Sequence, residues 1–212
     1  MNVKLVSLTK PEVEGIDKAE DIIAYCARVS NPSNQMNTET APRLLKYLIK
    51  HKHWSPFELA NMCVEITTSR AIAAQILRHR SFSFQEFSQR YSEATEMEPL
   101  ELRSKAEKNR QSSSDPIEDQ QMIYLAQTMM NSCKEIYDDM VFAGVSKETA
   151  RMILPLGTQT TMYMNGSIRS WVHYIDLRTA EDTQKEHREV AEAVKEIFIN
   201  NFPVVSEALE WK

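Results

Sequence analysis

The sequence predicts an α+β domain in which helices dominate and a few strands are separated by helices. Several segments have apolar residues at three- and four-residue spacings, and only a few segments show strand-like alternation. A chain of 212 residues is long enough for one well-packed core. We therefore expect residues 1–212 to form a single domain, with a polar, variable surface excursion near residues 97–114.

Apolar spacing locates the individual elements. Residues 3–8 alternate as a strand does, and Met62, Val64 and Ile66 share one face of a second extended segment. Residues 158–164 have strand propensity. Helices are predicted at residues 17–30, 38–51, 70–80, 115–144, 146–154, 168–178 and 183–201.

Several of these helices begin with side chains suited to cap them. Asp17 is followed by Glu20 in the third position, which predicts a capping box, and Asp115 is followed by a proline and an acidic residue. Ser69 and Ser167 stand directly before helical patterns and are expected to cap them. The predicted inner face of the helix after Asp115 consists of Met122, Leu125, Met129, Cys133, Ile136 and Met140.

The composition disfavours several classes of protein. With 30 acidic and 25 basic residues the net charge is −5, which argues against a general nucleic-acid binder. No apolar run is long enough for a membrane span and residues 1–15 do not resemble a secretory signal, so we expect a cytoplasmic protein. With only four glycines and no glycine-rich phosphate loop, a nucleotide would have to be held by side chains, above all by arginine.

The stretch RHRSFSFQEFSQRY, residues 78–91, concentrates donors for an anion in this acidic chain. Arg78, Arg80 and Arg90 offer planar guanidinium groups suited to a phosphate monoester. Composition alone slightly favours a simpler alternative, a solvated and salt-bridged helix end. The amide and hydroxyl side chains that add donors nearby are Gln75, Ser88 and Gln89.

One predicted helix carries a second group of candidate binding residues. Arg169 and Arg178 bracket it, and Trp171, His173 and Tyr174 lie between them. This mixture suits an aromatic ligand as well as core packing.

The residues give little support for a metal site or for covalent catalysis. His51, His53 and His79 have no matching cysteine or carboxylate spacing, so no metal is assigned. No cysteine lies at an electropositive helix end, where the pKa of a thiol would be lowered. The widely spaced cysteines with apolar neighbours, which indicate buried thiols, are Cys26, Cys63 and Cys133.

The stretch at residues 78–91 resembles the signature of the flavin-dependent thymidylate synthases, an Arg-His-Arg triplet followed after seven residues by a serine, here Ser88. HWSPFELANMCVEI, residues 53–66, is similar to another segment of that family. A third similarity is ETARMILPLGTQTTMYMNGSIRSWVHYIDLRTAEDTQKEHREVA, residues 148–191. Together these similarities extend over most of the chain from about residue 17, apart from the excursion.

The resemblance implies one helix-rich catalytic domain around a small, mostly antiparallel sheet. It implies conversion of dUMP to dTMP, with methylenetetrahydrofolate as carbon donor and FAD, reduced by NADPH, as hydride donor. No protein nucleophile is needed, because flavin chemistry replaces it. The family resemblance also implies a homotetramer with active sites between subunits, in which the Arg-rich stretch serves one ligand in its own chain and another in the neighbouring chain.

The resemblance also carries residue roles over by position. Arg178 is the expected catalytic residue, because a guanidinium beside uracil N3 and O4 favours the ionised pyrimidine. Expected dUMP contacts are Gln75, Arg78, Glu86, Ser88, Gln89, Arg90, Arg151 and Arg178. Expected FAD contacts are His53, Ser55, Glu58, Arg78, His79, Arg80, Glu86, Ser167, Arg169 and His173, followed by Gln184 and His187.

Two other functions remain open at this point. A nucleotide-binding regulator without turnover would share the arginines, but Arg178 and the complete triplet are both present, which disfavours it. An RNA-binding module using residues 78–90 is disfavoured by the net charge of −5 and by the lack of a recognisable RNA-binding motif.

Overall fold

An antiparallel sheet lies at the centre of the chain. In this computed structural model the described residues are 1–93, 96–107, 109 and 112–211. The strands are β1 (Asn2–Leu8), β2 (Asn61–Ser69), β3 (Ser83–Glu86), β4 (Arg103–Lys105), β5 (Ser113–Pro116) and β6 (Gln159–Ser167). The main sheet has the order β1-β2-β6-β3 with every pairing antiparallel, and β4 pairs separately with β5. The α+β prediction is confirmed.

Helices make up most of the rest of the described chain. They are α1 (Ala19–Ala27), α2 (Ala41–Lys50), α3 (Arg70–Ile76), α4 (Gln120–Phe142), α5 (Lys147–Ala150), α6 (Ile168–Arg178), α7 (Lys185–Asn201) and α8 (Pro203–Ala208). The sequence did not predict α8, because Pro203 ends the preceding helical pattern, yet proline also suits the first position of a helix. Among the described residues, no helix combines the length and the apolar character that crossing a bilayer requires.

One face of the sheet forms the main core. Met62, Val64 and Ile66 of β2 are fully buried, as their alternation predicted. Trp171 of α6 packs against this face and donates its indole N–H to the Met62 carbonyl at 2.8 Å. Burying one large apolar side chain stabilises a fold by about 1.5–3 kcal/mol, so these contacts fix α6 firmly on the sheet.

Two neighbouring strands lead directly into the helices that carry the candidate binding residues. β2 and β6 pair along their whole length, and they end in Ser69 and Ser167 at opposite ends of the pair. Ser69 Oγ accepts the Ile72 N–H at 3.4 Å, and Ser167 Oγ accepts the Ser170 N–H at 3.3 Å. Both serines are therefore the helix caps that the sequence predicted.

The capping box predicted for α1 is wrong. Lys18, not Asp17, occupies the cap position, and Glu20 does not bond back to the start of its helix. Glu20 is instead buried and accepts the backbone N–H of Val204 at 3.0 Å, at the beginning of α8. A partner distant in sequence has therefore replaced the local one.

The predicted start of the long helix is also wrong. Asp115 and the proline after it belong to β5, and α4 begins at Gln120. Asp119 is the actual cap, and it accepts the backbone N–H groups of Gln121 and Met122 at 3.0 Å each. Pairing with β4 holds Asp115 in an extended conformation, so the next acidic residue takes the capping role.

The predicted surface excursion carries the β4–β5 pair. Arg103 of β4 donates to Glu101 at 3.0 Å and forms an ion pair with Glu186 at the start of α7. The Arg103 side chain is only 10% exposed, so this pair is anchored on α7. Within the excursion, residues 108, 110 and 111 lie outside the described residues.

The apolar stripe of α4 faces outward in the isolated chain. Met122, Leu125, Met129 and Ile136 are 53%, 54%, 57% and 53% exposed. Tyr137 is the buried residue of this helix, in a small cluster with Ala150. The periodicity was correct, but the prediction that these four residues face the core of the chain is wrong.

Gly166 of β6 provides space for an aromatic ring beside the Arg-rich stretch. A Cβ atom at this position would lie 2.4 Å from Cδ1 of Phe82.

We expect Gly166→Ala to lower the free energy of unfolding by about 1–3 kcal/mol, because a ring fixed in the core cannot move aside. Urea denaturation measures this. Gly157→Ala is the matched control, since its Cβ would meet only the flexible end of Met130; equal losses in both variants would contradict the prediction.

Candidate active site

The Arg-rich turn lies alongside α6. Because α3 ends earlier than predicted, residues 78–80, here called the RHR turn, follow that helix. Arg178 at the end of α6 donates its Nε–H to His79 Nε2 at 2.9 Å. Near the start of α6, Ser170 donates its hydroxyl to the Ser81 carbonyl at 3.3 Å. The chain after α3 therefore runs antiparallel to α6 and forms one wall with it.

His79 is held in its neutral form. Burial, together with the smaller effects of the nearby Arg178 and His173, lowers its pKa to about 4. A ring nitrogen that accepts a hydrogen bond from a guanidinium must carry a lone pair, so the proton lies on Nδ1. His79 thus orients Arg178 without adding a charge of its own.

The arginines of this wall are available to an anion. Within the described ranges, the two terminal nitrogens of Arg178 have no hydrogen-bond or ion-pair partner. Arg78 and Arg80 are exposed, and neither forms an ion pair with a described residue. These two arginines therefore do not form the salt bridges that the alternative of a salt-bridged helix end requires. Their guanidinium forks suit phosphate or another planar anion.

A row of polar side chains lies behind the RHR turn. His187 is fully buried, with Nδ1 3.2 Å from Gln75 Oε1 and Nε2 3.2 Å from the Tyr174 hydroxyl. Gln75 donates its amide to Gln184 Oε1 at 2.7 Å, and Gln184 donates to Glu186 at 2.9 Å. We call these five residues the polar row. It places Gln75, Gln184 and His187, three expected ligand contacts, in one hydrogen-bonded series.

A cleft of about 850 Å³ opens along the outer side of α6, and we call it the α6 cleft. Arg169 and His173 line it from α6. On the facing side, Glu58 of the 3-10 turn Ser55–Glu58 lines it together with Trp54, the residue before that turn. Arg169 forms an ion pair with Glu58. The polar residues that complete the lining are Asn61, Ser81, Ser83, Asn165, Ser167, Ser170 and Asp176.

Most of the expected FAD contacts lie in or beside this cleft. Glu58, Ser167, Arg169 and His173 line it directly. His53 and Ser55 are exposed and flank Trp54, which forms part of its wall. Residues 78–80 of the RHR turn do not line the cleft themselves, but Ser81, the next residue, does, so the turn adjoins the cleft.

The remaining expected nucleotide contacts lie elsewhere on the chain. Glu86 at the end of β3 forms an ion pair with Arg70 at 3.3 Å. Arg90 forms an ion pair with Glu148 at 3.0 Å, beside a smaller cleft of about 370 Å³ that Ser88 also lines. The second half of the Arg-rich stretch is thus held against the start of α3 through Glu86 and against α5 through Arg90.

Arg151 and Gln89 belong to the same region. Arg151 donates its Nε–H to the Glu148 carbonyl at 3.4 Å, and Gln89 is only 4% exposed. No hydrogen bond or ion pair within the described ranges connects this region to Arg178. One chain therefore gathers the expected residues into two groups, one along α6 and one around Arg90.

Sequence reasoning missed the contacts that three residues make in or beside these groups. Trp54 lies between His53 and Ser55, so its position in the chain was a usable signal. Arg70, the ion-pair partner of Glu86, was assigned only to a helix start. Tyr174 was named as a residue that suits an aromatic ligand as well as core packing, but its hydrogen bond to His187, 13 positions later in the chain, was not predicted.

Comparisons with known proteins identify the family to which the chain belongs. Residues 12–204 match the family model described as thymidylate synthase complementing protein. A probable flavin-dependent thymidylate synthase of Paramecium bursaria Chlorella virus 1 is 53% identical over 215 residues, covering 100% of both chains. The flavin-dependent thymidylate synthase of Synechocystis is 50% identical over 218 residues, again covering 100% of both. The chain belongs to the flavin-dependent thymidylate synthase family.

A solved structure has the same fold. It is a UMP/dUMP methylase, PolB from Streptomyces cacaoi, bound with 5-Br dUMP. The TM-score is 0.81 with 24% sequence identity, covering 99% of this chain and 94% of the other. At this identity the likeness supports the fold, and the family assignment rests on the closer relatives.

The lowered pKa values of one buried and one half-buried histidine, His187 and His79, predict how stability depends on pH. Burial lowers the pKa of His187 to about 3 and that of His79 to about 4, from 6.5. Between about pH 6.5 and about pH 4 the unfolded chain binds protons that the folded chain does not, so the free energy of unfolding decreases as the pH falls. Urea denaturation at about pH 7 and about pH 5 measures this slope. We expect a flatter slope in His187→Gln, whereas the exposed-site control His51→Gln keeps it; an unchanged slope in His187→Gln would contradict the assignment.

Proposed function

We infer that this chain is a flavin-dependent thymidylate synthase, an enzyme that methylates dUMP reductively to dTMP. Methylenetetrahydrofolate is the carbon donor, and FAD, reduced by NADPH, is the hydride donor. The observation that carries this conclusion is identity of 50% or more, over the full length of the chain, to two members of that family. The Arg-His-Arg triplet and Arg178 of the family pattern form one wall in the fold.

The α6 cleft fits a flavin dinucleotide in its chemistry. Arg169, with Arg78 and Arg80 of the adjoining turn, supplies cationic groups for a pyrophosphate. Trp54 and His173 supply flat ring surfaces, and hydroxyl and amide groups complete the lining. We propose that these residues hold FAD together with His53, Ser55, Glu58, His79, Glu86 and Ser167. Bound FAD would supply the hydride that reduces the transferred carbon to a methyl group.

Arg178 is the proposed catalytic residue. His79 accepts a hydrogen bond from the Nε–H of Arg178. This contact orients the planar guanidinium while its terminal nitrogens stay available. A cation fixed beside the uracil ring stabilises negative charge as it develops there, and preorganised electrostatics of this kind often makes the largest contribution to catalysis. Arg178 acts in this proposal by electrostatic stabilisation, without forming a covalent bond.

The cysteines support a mechanism without a protein nucleophile. Cys26, Cys63 and Cys133 are half-buried, which is less than the full burial that their neighbours predicted. Burial raises the pKa of the Cys26 and Cys63 thiols, and a raised pKa leaves less of the reactive thiolate at neutral pH.

The second group of expected dUMP contacts is proposed to serve a neighbouring subunit. Gln75, Arg78 and Arg178 lie along α6, whereas Glu86, Ser88, Gln89, Arg90 and Arg151 lie in the separate region. A site shared between subunits would bring one group from each chain to the same nucleotide. This arrangement explains how a single Arg-rich stretch contributes to two ligand sites.

The exposed stripe of α4 supports a homotetramer. Met122, Leu125, Met129 and Ile136 are all more than half exposed in the isolated chain. A stripe of this size on one helix is typical of a surface covered by a partner. Another copy of the chain is the proposed partner, because a shared site requires one. A single domain covering residues 1–212 and a cytoplasmic location also remain part of the proposal.

An activity assay tests the proposed enzyme. The purified protein should be yellow or bind added FAD, and it should convert dUMP to dTMP when methylenetetrahydrofolate and NADPH are supplied. We expect Arg178→Ala to retain FAD and to lose turnover by at least about 100-fold, because it removes a fixed charge from the transition state. Arg43→Ala, an exposed arginine of α2, is the control.

Three outcomes of this assay would count against the proposal. A wild-type protein that cannot bind FAD would exclude the flavoenzyme, and binding of both ligands without turnover would favour the nucleotide-binding regulator. Full activity in Arg178→Ala would remove that residue from its role.

The oligomer is tested separately. We expect Leu125→Glu to shift the assembly toward smaller species, because a buried, unpaired carboxylate is costly at an interface. Sedimentation velocity of wild type and variant measures this. Val29→Glu, at an apolar residue 70% exposed outside α4, should leave the assembly unchanged. A wild-type monomer, or an unchanged assembly in Leu125→Glu, would contradict the proposed interface.

A further inference from the structure

The polar row behind the RHR turn is costly to bury. Tyr174 and His187 are both fully buried, and the Tyr174 ring lies 4.9 Å from His79 and 5.8 Å from Trp171. A buried hydroxyl or imidazole that lacks a hydrogen-bond partner destabilises the folded state. Here both polar atoms of His187 and the hydroxyl of Tyr174 have partners, so the core accommodates them only because the row is continuous.

The direction of every hydrogen bond in this row is set from one end. The Glu186 carboxylate forms an ion pair with Arg103 and can only accept, so Gln184 must turn its N–H groups toward it. Gln184 Oε1 then accepts from Gln75, whose own Oε1 must accept from His187. Reversing any one of these amides would place two acceptors face to face at hydrogen-bond distance.

The other end of the row agrees with this direction. Because Nδ1 of His187 donates to Gln75, its Nε2 carries the lone pair and accepts the Tyr174 O–H. Burial raises the pKa of Tyr174 above its ordinary value, which keeps the phenol protonated and able to donate. Burial likewise keeps His187 neutral, with a pKa of about 3.

We propose that Tyr174, His187, Gln184 and Glu186 are positioning residues that hold the Gln75 amide in one orientation for the nucleotide. The row occupies one N–H of the Gln75 amide and one lone pair of its oxygen. The second N–H and the second lone pair of the Gln75 amide remain available in fixed positions. A ligand therefore finds one donor and one acceptor whose places cannot be exchanged. This inference rests on the proposed function, in which Gln75 contacts dUMP.

A double-mutant cycle tests the positioning role. Tyr174→Phe removes one hydroxyl, and we expect it to weaken dUMP binding to the FAD-loaded enzyme by about 3- to 10-fold, the effect of one net hydrogen bond. FAD content should stay close to wild type, whereas the thermal unfolding midpoint should fall, because His187 Nε2 loses its buried partner. In a Gln75→Ala background the same change should have no further effect, because nothing is left to position. Tyr25→Phe, at a half-buried tyrosine of α1, is the matched control.

Nitrogen NMR of His187 tests the direction of the row without relying on a variant that must fold. Wild type should show a protonated Nδ1 and an unprotonated Nε2. Glu186→Gln should mix the two tautomers, because a glutamine can donate as well as accept.

The outcomes separate the two proposals. A protonated Nε2 in wild type, or an equal loss of affinity from Tyr174→Phe with and without Gln75, overturns the positioning role while leaving the enzyme in place. Unchanged dUMP affinity in Gln75→Ala also overturns it, because the row would then act on no ligand contact. If wild type does not bind dUMP at all, the proposed function fails, and the tautomer measurement alone still decides the direction of the row.

Discussion

The antiparallel pairing of β2 with β6 is the constraint on which the rest of the site depends. Its register places Ser69 and Ser167 at opposite ends, so α3 and α6 start from opposite ends of the pair. The end of α3 then meets the end of α6, and this meeting allows His79 to accept from Arg178. A shift of one residue in the β2–β6 register would exchange the two faces of the shifted strand and separate His79 from Arg178.

Features fixed by local chemistry were predictable from the sequence, and features fixed by distant partners were not. Ser69 and Ser167 cap helices because the backbone groups that they satisfy lie within three residues. Glu20 looked equally local, but its partner is Val204. The stripe of α4 was read correctly from its period, whereas its direction depends on what covers it. For the site, motif resemblance supplied the residues, and only the fold showed that they form two groups.

The site combines exposed positive charge with neutral histidines. His79 and His187 lie next to each other, with ring centroids 6.3 Å apart, and close to Arg178. Protonating either ring would place a second cation in a poorly solvated region, so burial and Arg178 both keep them neutral. The net charge of −5 of the whole chain therefore conceals a locally positive wall, in which the uncharged His79 ring orients Arg178 by accepting a hydrogen bond from it.

The ion pair between Arg103 and Glu186 joins the surface excursion to the polar row. Glu186 has two roles that do not depend on each other: it anchors the excursion through Arg103, and it accepts a hydrogen bond from Gln184. Glu186 lies in the first turn of α7, where the helix dipole favours a negative charge even without a cation. A neutral residue in place of Arg103 would remove one of the ties between this segment and α7, where Lys185 still forms an ion pair with Glu101 at 2.7 Å, and it would leave an acceptor at the head of the row. An acidic residue at position 186 therefore sets the direction of the hydrogen bonds in the polar row, whether or not Arg103 holds the excursion against α7.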